Sequence, residues 1–188
     1  INNKGELVTK CQKLYPFLPY EVGVKAGNEV CVFEVPGFGT MGLQICYDLW
    51  FPETSRALTL QGAEVILHPS LTDTCDRDVE RAMVKATAAQ QQCYYIDVNA
   101  GGKQGCGLSL VAGPDGEILH DANIGEEFIL VEVDFDRVRR CRTRGLKGLG
   151  QPVKSFRDDP KPNLLNGKDE NYLKKLGPLE VPKKEKNP

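Results

Sequence analysis

The chain has no Cys-x-x-Cys pair, and its seven cysteines are an odd number scattered from Cys11 to Cys141. That pattern fits neither a disulfide framework nor a zinc ribbon, and it points to a reducing, cytoplasmic setting. Histidine is scarce, with two in 188 residues. No group of residues has metal-ligand spacing, so no metal is expected. There is no Gly-rich phosphate loop, and Gly101-Gly102 alone is too short to argue from, so no cofactor is expected either. No apolar run approaches bilayer length and nothing resembles a signal peptide, which excludes a membrane partner. Neither charge sign is in excess: 24 basic residues stand against 26 acidic ones, a net charge of -2. Nucleic acid and anionic surfaces are therefore not expected as partners. Internal repeats are absent.

What the chain has is 40% hydrophobic residues, enough for one domain to bury a core. Strand and helix patterns alternate, which gives an α/β class. Val30 to Val35 and Thr40 to Cys46 read as strands joined by a turn at Pro36-Gly37-Phe38-Gly39. A helix begins at Pro52, with Glu53 in its first turn and Gly62 past its end. Glu64 to His68 is a short apolar strand. Val79, Ala82, Met83, Ala86, Ala89 and Cys93 recur at helical spacing, so a helix is expected over about Arg77 to Gln92. Tyr94 to Asn99, Leu108 to Ala112, Glu117 to His120 and Phe128 to Val133 read as further strands. Asp134 is placed to cap a short helix over Arg137 to Arg142. Residues 1–142 thus form the domain. Over residues 143–188 the periodicity is lost and six of the twelve prolines fall between Pro152 and Pro188, which reads as an extended or partly disordered arm.

Two segments carry chemistry. Cys46 ends an apolar strand in Gly42-Leu43-Gln44-Ile45-Cys46-Tyr47-Asp48, just before Phe51-Pro52-Glu53. A cysteine there is either a buried structural residue or a thiol activated by nearby backbone N–H groups and the positive end of a helix. Lys13 lies upstream in Lys10-Cys11-Gln12-Lys13-Leu14-Tyr15-Pro16-Phe17-Leu18-Pro19-Tyr20-Glu21. Alone it is either a surface lysine or a catalytic cation.

Together these segments resemble the nitrilase superfamily of carbon–nitrogen hydrolases, and most of all its amidase branches. The family's lysine lies in a Lys-x-x-Lys-Leu type of stretch and its cysteine in a Cys-x-Asp-x-x-x-Pro-Glu stretch, which places Lys13 and Cys46 in one Glu-Lys-Cys site. Glu21 falls on a second glutamate that follows the lysine in a Pro-x-x-Pro-x-Glu run. The resemblance continues through Pro52-Glu53-Thr54-Ser55-Arg56, Pro69-Ser70, Asn99, Gly107-Leu108-Ser109 and Pro114-Asp115-Gly116, and covers about residues 8 to 142. It implies a four-layer α-β-β-α sandwich. The family's first glutamate, the general base, lies upstream of the lysine and has no match here. The chain is accordingly expected to be an N-terminally truncated member that lacks the first strands and helix.

The implied chemistry is attack by a Cys46 thiolate on the carbon of a small amide, with release of ammonia and a carboxylate. Lys13 and the backbone N–H of Tyr47 would meet the charge that develops on the substrate oxygen. Glu21 either positions Lys13 or the substrate, or pairs at the surface with a lysine such as Lys25. Asn99 shapes the pocket, Trp50 and Tyr15 line it or pack the core, and Asp48 and Glu53 orient the loop after the nucleophile. A nitrile or N-carbamoyl substrate is the alternative within the family. A non-catalytic binding or assembly protein is the alternative outside enzymes. A Cys-His pair needs His68 or His120 beside the sulfur, and no papain-like signature surrounds Cys46. The arginines Arg137, Arg139, Arg140, Arg142 and Arg144 read as an ion-paired helix face or a subunit contact in a homo-oligomer.

Overall fold

In the computed structural model, which describes residues 1–161 and 169–181, the hairpin opens the sheet. Strands β1 (Cys31–Val35) and β2 (Gly39–Leu43) pair antiparallel, with Val35 opposite Gly39. Gly37 takes the positive φ of 82° that the tight turn requires. From β2 the chain makes a single 3₁₀ turn, Cys46–Trp50, and enters helix α1 (Pro52–Leu60). Pro52 is suited to the first helical position because its missing N–H would have no partner there. Strand β3 (Val65–Ser70) returns parallel to β2. Helix α2 (Arg77–Gln91) then leads to β4 (Tyr94–Asn99), parallel to β3. Strands β5 (Leu110–Ala112) and β6 (Ile118–Asp121) complete a six-stranded sheet in sequence order.

The core lies on one face of this sheet, where Ile66, Tyr95, Leu110 and Ala112 meet Leu58 of α1 and Val84 and Ala88 of α2. These side chains have almost no exposed surface. Each large one contributes roughly 1.5–3 kcal/mol through burial. On the other face Val65 and Tyr94 pack against Val138 of helix α3 (Phe135–Arg144). Four of the five arginines of α3 have partners among the described residues. Arg137 reaches Asp115 and Glu117, Arg139 reaches Glu64, Arg140 reaches Asp134, and Arg142 donates to the carbonyls of Ala63 and Gln92. Asp134 caps α3 by accepting from the Arg137 N–H.

The α/β class and the alternation of strands and helices are as expected from the sequence. The described residues build one β layer with its helices, and the sandwich's second sheet is not among them. Phe128 to Val133 is not a strand, although its apolar pattern reads as one. Among the described residues it pairs with no neighbour, and an isolated strand has no ladder to hold it. The stretch after Thr143 holds two short helices, α4 (Pro152–Asp158) and α5 (Glu170–Lys175). The guanidinium of Arg56 lies 5.3 Å above the Phe156 ring of α4. The arm's residues 162–168 and 182–188 lie outside the described residues. Cys11 and Cys31 are joined as a disulfide, a single link that the odd cysteine count does not reveal. Among the described residues no helix is long and apolar enough to cross a membrane.

Candidate active site

The parallel strands β2, β3 and β4 end at Leu43, Ser70 and Asn99, and the candidate residues gather at this carboxyl edge. Such an edge leaves loops and helix starts free to present side chains. Strand β2 stops three residues short of Cys46. The cysteine opens the 3₁₀ turn and adopts φ 49°, in the left-handed region. A non-glycine residue there is disfavoured and must be held by its surroundings.

Several groups hold the turn. Gln44 donates through Nε2 to the Asp48 carbonyl at 2.9 Å, and its Oε1 accepts from Ser55 and from the Tyr95 hydroxyl, each at 2.9 Å. Burial pushes the Tyr95 phenol well above its ordinary pKa, so it serves as a donor. The Cys46 carbonyl accepts from His68 Nε2 at 2.9 Å. His68 thus approaches the Cys46 turn through its backbone, while its other nitrogen faces Asp97.

Asp48 brings the lysine segment to this turn. Its carboxylate is buried and accepts from the N–H of Ile45 at 3.0 Å, of Leu14 at 3.0 Å and of Tyr15 at 2.7 Å. Lys13 sits in an irregular segment that this carboxylate fastens beside the Cys46 turn. Its ammonium is mostly buried and meets Glu21 Oε2 at 2.7 Å. Glu21 also accepts from the Phe17 N–H at 2.6 Å. Burial raises the Glu21 pKa, but the Lys13 and Phe17 hydrogen bonds outweigh it and hold the carboxyl below its ordinary value. Rings surround the turn: Tyr15 stacks on Phe51 with centroids 3.6 Å apart, and Tyr47 lies 4.7 Å from Phe17 and 5.3 Å from Phe51.

Lys13, Glu21, Cys46 and Tyr47 therefore belong to one neighbourhood. Asn99 is buried behind it. Its Nδ2 donates to the carbonyls of Thr72 and Gly107 at 2.8 Å each, and its Oδ1 accepts from the Thr72 N–H, so it ties the loops after β3 and β4 together. Trp50 turns its indole N–H to Glu80 at 3.3 Å. Among the other thiols, burial pushes Cys93 up to about 12, and burial also raises Cys141. Neither supplies a thiolate near neutral pH. Among the described residues no group of three or more His, Cys, Asp or Glu side chains is placed to hold a metal ion.

A buried ionic group below the turn is not apparent from the motifs. His68 Nδ1 lies 2.7 Å from Asp97 Oδ1, the opposite carboxylate oxygen of Asp97 meets Arg77, and Arg77 meets Glu80 at 3.1 Å. Burial lowers the Arg77 pKa, and the two carboxylates more than reverse this, so the guanidinium is held firmly charged. The signal in the sequence is a charge on an inward strand position. Tyr95, Asp97 and Asn99 share one face of β4, and His68 stands opposite Asp97 in the register.

A family model described as carbon-nitrogen hydrolase matches residues 1–143. A deaminated glutathione amidase of Synechocystis sp. (strain PCC 6803 / GT-S) is 33% identical over 120 residues, which cover 59% of this chain and 43% of that protein. The protein YbeM of Escherichia coli (strain K12) is 30% identical over 168 residues, 86% of either chain. Among solved structures, Nit3 of Saccharomyces cerevisiae, a member of branch 10 of the nitrilase superfamily, matches with a TM-score of 0.68 at 26% identity. That match covers 76% of this chain and 54% of Nit3. The chain spans about half the length of most curated relatives it matches.

Proposed function

The chain belongs to the carbon–nitrogen hydrolase family, and from that premise we propose that it carries the nucleophile and cation of a thiol hydrolase acting on a small amide. The Cys46 sulfur attacks the carbonyl carbon and the carbonyl π electrons move to oxygen. Collapse of that intermediate breaks the C–N bond, ammonia leaves with the thiol proton, and a thioester remains. Water then cleaves the thioester, returning the thiol and releasing a carboxylate. Lys13 and the Tyr47 N–H stabilise the oxyanion, and each fixed donor of this kind lowers the barrier by roughly 3–4 kcal/mol.

Glu21 keeps the Lys13 ammonium in place, so it is committed to the cation. The family's general-base glutamate has no matching residue in this sequence, and we assign the base outside the residues that meet here.

The observation that carries the reading is the Asp48 carboxylate, which fastens the backbone beside Lys13 to the turn that begins at Cys46. The test is ammonia release from a panel of short-chain amides by the full-length protein. Cys46→Ala is expected to abolish release with the fold intact, and Lys13→Ala to reduce it by about two to three orders of magnitude. Activity that survives Cys46→Ala overturns the assignment.

A further inference from the structure

The 3₁₀ turn that presents Cys46 is held at both ends by one buried ionic group. At its start His68 Nε2 meets the Cys46 carbonyl oxygen at 2.9 Å. At its end the Trp50 indole donates to Glu80 Oε1 at 3.3 Å. Between these ends the contacts run without a break: His68 to Asp97, Asp97 to Arg77, Arg77 to Glu80. The His68 and Asp97 side chains are fully buried, and Arg77 and Glu80 are 3% exposed.

The chemistry of these contacts fixes the state of the ring. A carbonyl oxygen only accepts, and so does an ionised carboxylate. His68 faces one of each, so both of its nitrogens must carry a proton. The charge count agrees. Arg77 is positive while Asp97 and Glu80 are negative, so a neutral imidazole would leave one buried negative charge unbalanced. An imidazolium closes the group at zero. The Tyr95 phenol also faces the ring, with ring centroids 5.6 Å apart, and Cys46 meets it through its carbonyl oxygen. Asp48, in the same turn, is committed to three backbone N–H groups.

We propose that His68 is a positioning residue for the nucleophile: an imidazolium, held by Asp97, that clamps the Cys46 carbonyl in its left-handed turn and brings positive charge to the backbone of that residue. This rests on the reading of Cys46 as the nucleophile. It gives the site a second cation besides Lys13, approaching from the core side through the backbone. His68 does not exchange a proton with the sulfur. Its role is to fix the turn and favour the charged form of the thiol.

Two measurements on the full chain test this. The protein has only two histidines, so His120→Gln leaves a single imidazole to observe. The nitrogen-15 spectrum of that variant is expected to show both ring nitrogens of His68 protonated at neutral pH. A spectrum with one bare ring nitrogen overturns the proposal. The second measurement is the rate at which iodoacetamide modifies Cys46. His68→Gln keeps a donor for the carbonyl but removes the charge. Its expected effect is about a threefold slower reaction at neutral pH, because the turn loses a positive charge that favours the attacking anion. A folded His68→Gln protein that reacts at the parent rate overturns the proposal. A parent in which Cys46 reacts no faster than the other free thiols overturns the nucleophile reading instead, and the spectrum still decides the imidazolium.

Discussion

Glu21 shows how one carboxylate is made to serve a neighbouring cation. It receives the Lys13 ammonium and the Phe17 N–H on the same oxygen. Its pKa in the folded chain is lowered, so the ionised form binds the fold better than it binds the unfolded chain. The contribution is therefore fully present above the ordinary glutamate value of about 4.3 and is lost as pH falls through the lower, folded value. Because Glu21 is 37% exposed, solvent screens the pair, and its role is to place Lys13 rather than to stabilise the domain. A carbon-13 titration of the Glu21 carboxyl is expected to show an inflection below the ordinary glutamate range. Lys13→Met is expected to move it back up. An inflection that ignores Lys13→Met contradicts the pair.

At the scale of elements, the Asp48 staple joins a turn to a segment with no regular structure of its own. Asp48→Ala leaves three backbone N–H groups without their acceptor. Each such loss typically costs about 1–3 kcal/mol when the group stays buried, less where water reaches it. All three amides are part-buried, so a total near the low end, about 3 kcal/mol, is expected to lower the melting temperature by roughly 6–12 °C. Faster hydrogen exchange is expected at the Leu14 and Tyr15 amides in particular. Unchanged exchange there shows that the lysine segment is held by something else.

The same scale shows what the sequence makes legible. Helices α1 and α2 and strands β3 and β4 follow from local pattern, because each buries a stripe or a face whose period is written in the chain. The proposed roles of Cys46 and Lys13 rest on two short motifs that resemble the family's. The disulfide, the Asp48 staple and the His68–Asp97–Arg77–Glu80 group do not, since each joins residues from separate elements whose meeting depends on register. Phe128 to Val133 fails in the opposite direction. Its pattern is right, but among the described residues no strand lies beside it to pair with.

For the whole molecule, the unpaired run after β6 is the feature that asks for a partner. Phe128 is 95% exposed, Leu130 90% and Ile124 81%, while Val98 on the outer face of β4 is 54% exposed. Isolated apolar side chains are normal on a surface, but three large ones within seven residues form a patch of the kind that marks association. A net charge of -2 gives little repulsion between copies. We therefore expect a homo-oligomer in which this run is covered by a second copy of the chain. Sedimentation across a range of concentrations is expected to show mass rising above that of the monomer. The double variant Phe128→Asp with Leu130→Asp is expected to shift the protein toward monomer. Its melting temperature, extrapolated to low concentration, should stay close to the parent's, because neither side chain packs in the core. A parent that stays monomeric at high concentration removes the self-association reading. A double variant that unfolds shows instead that the run is part of the fold.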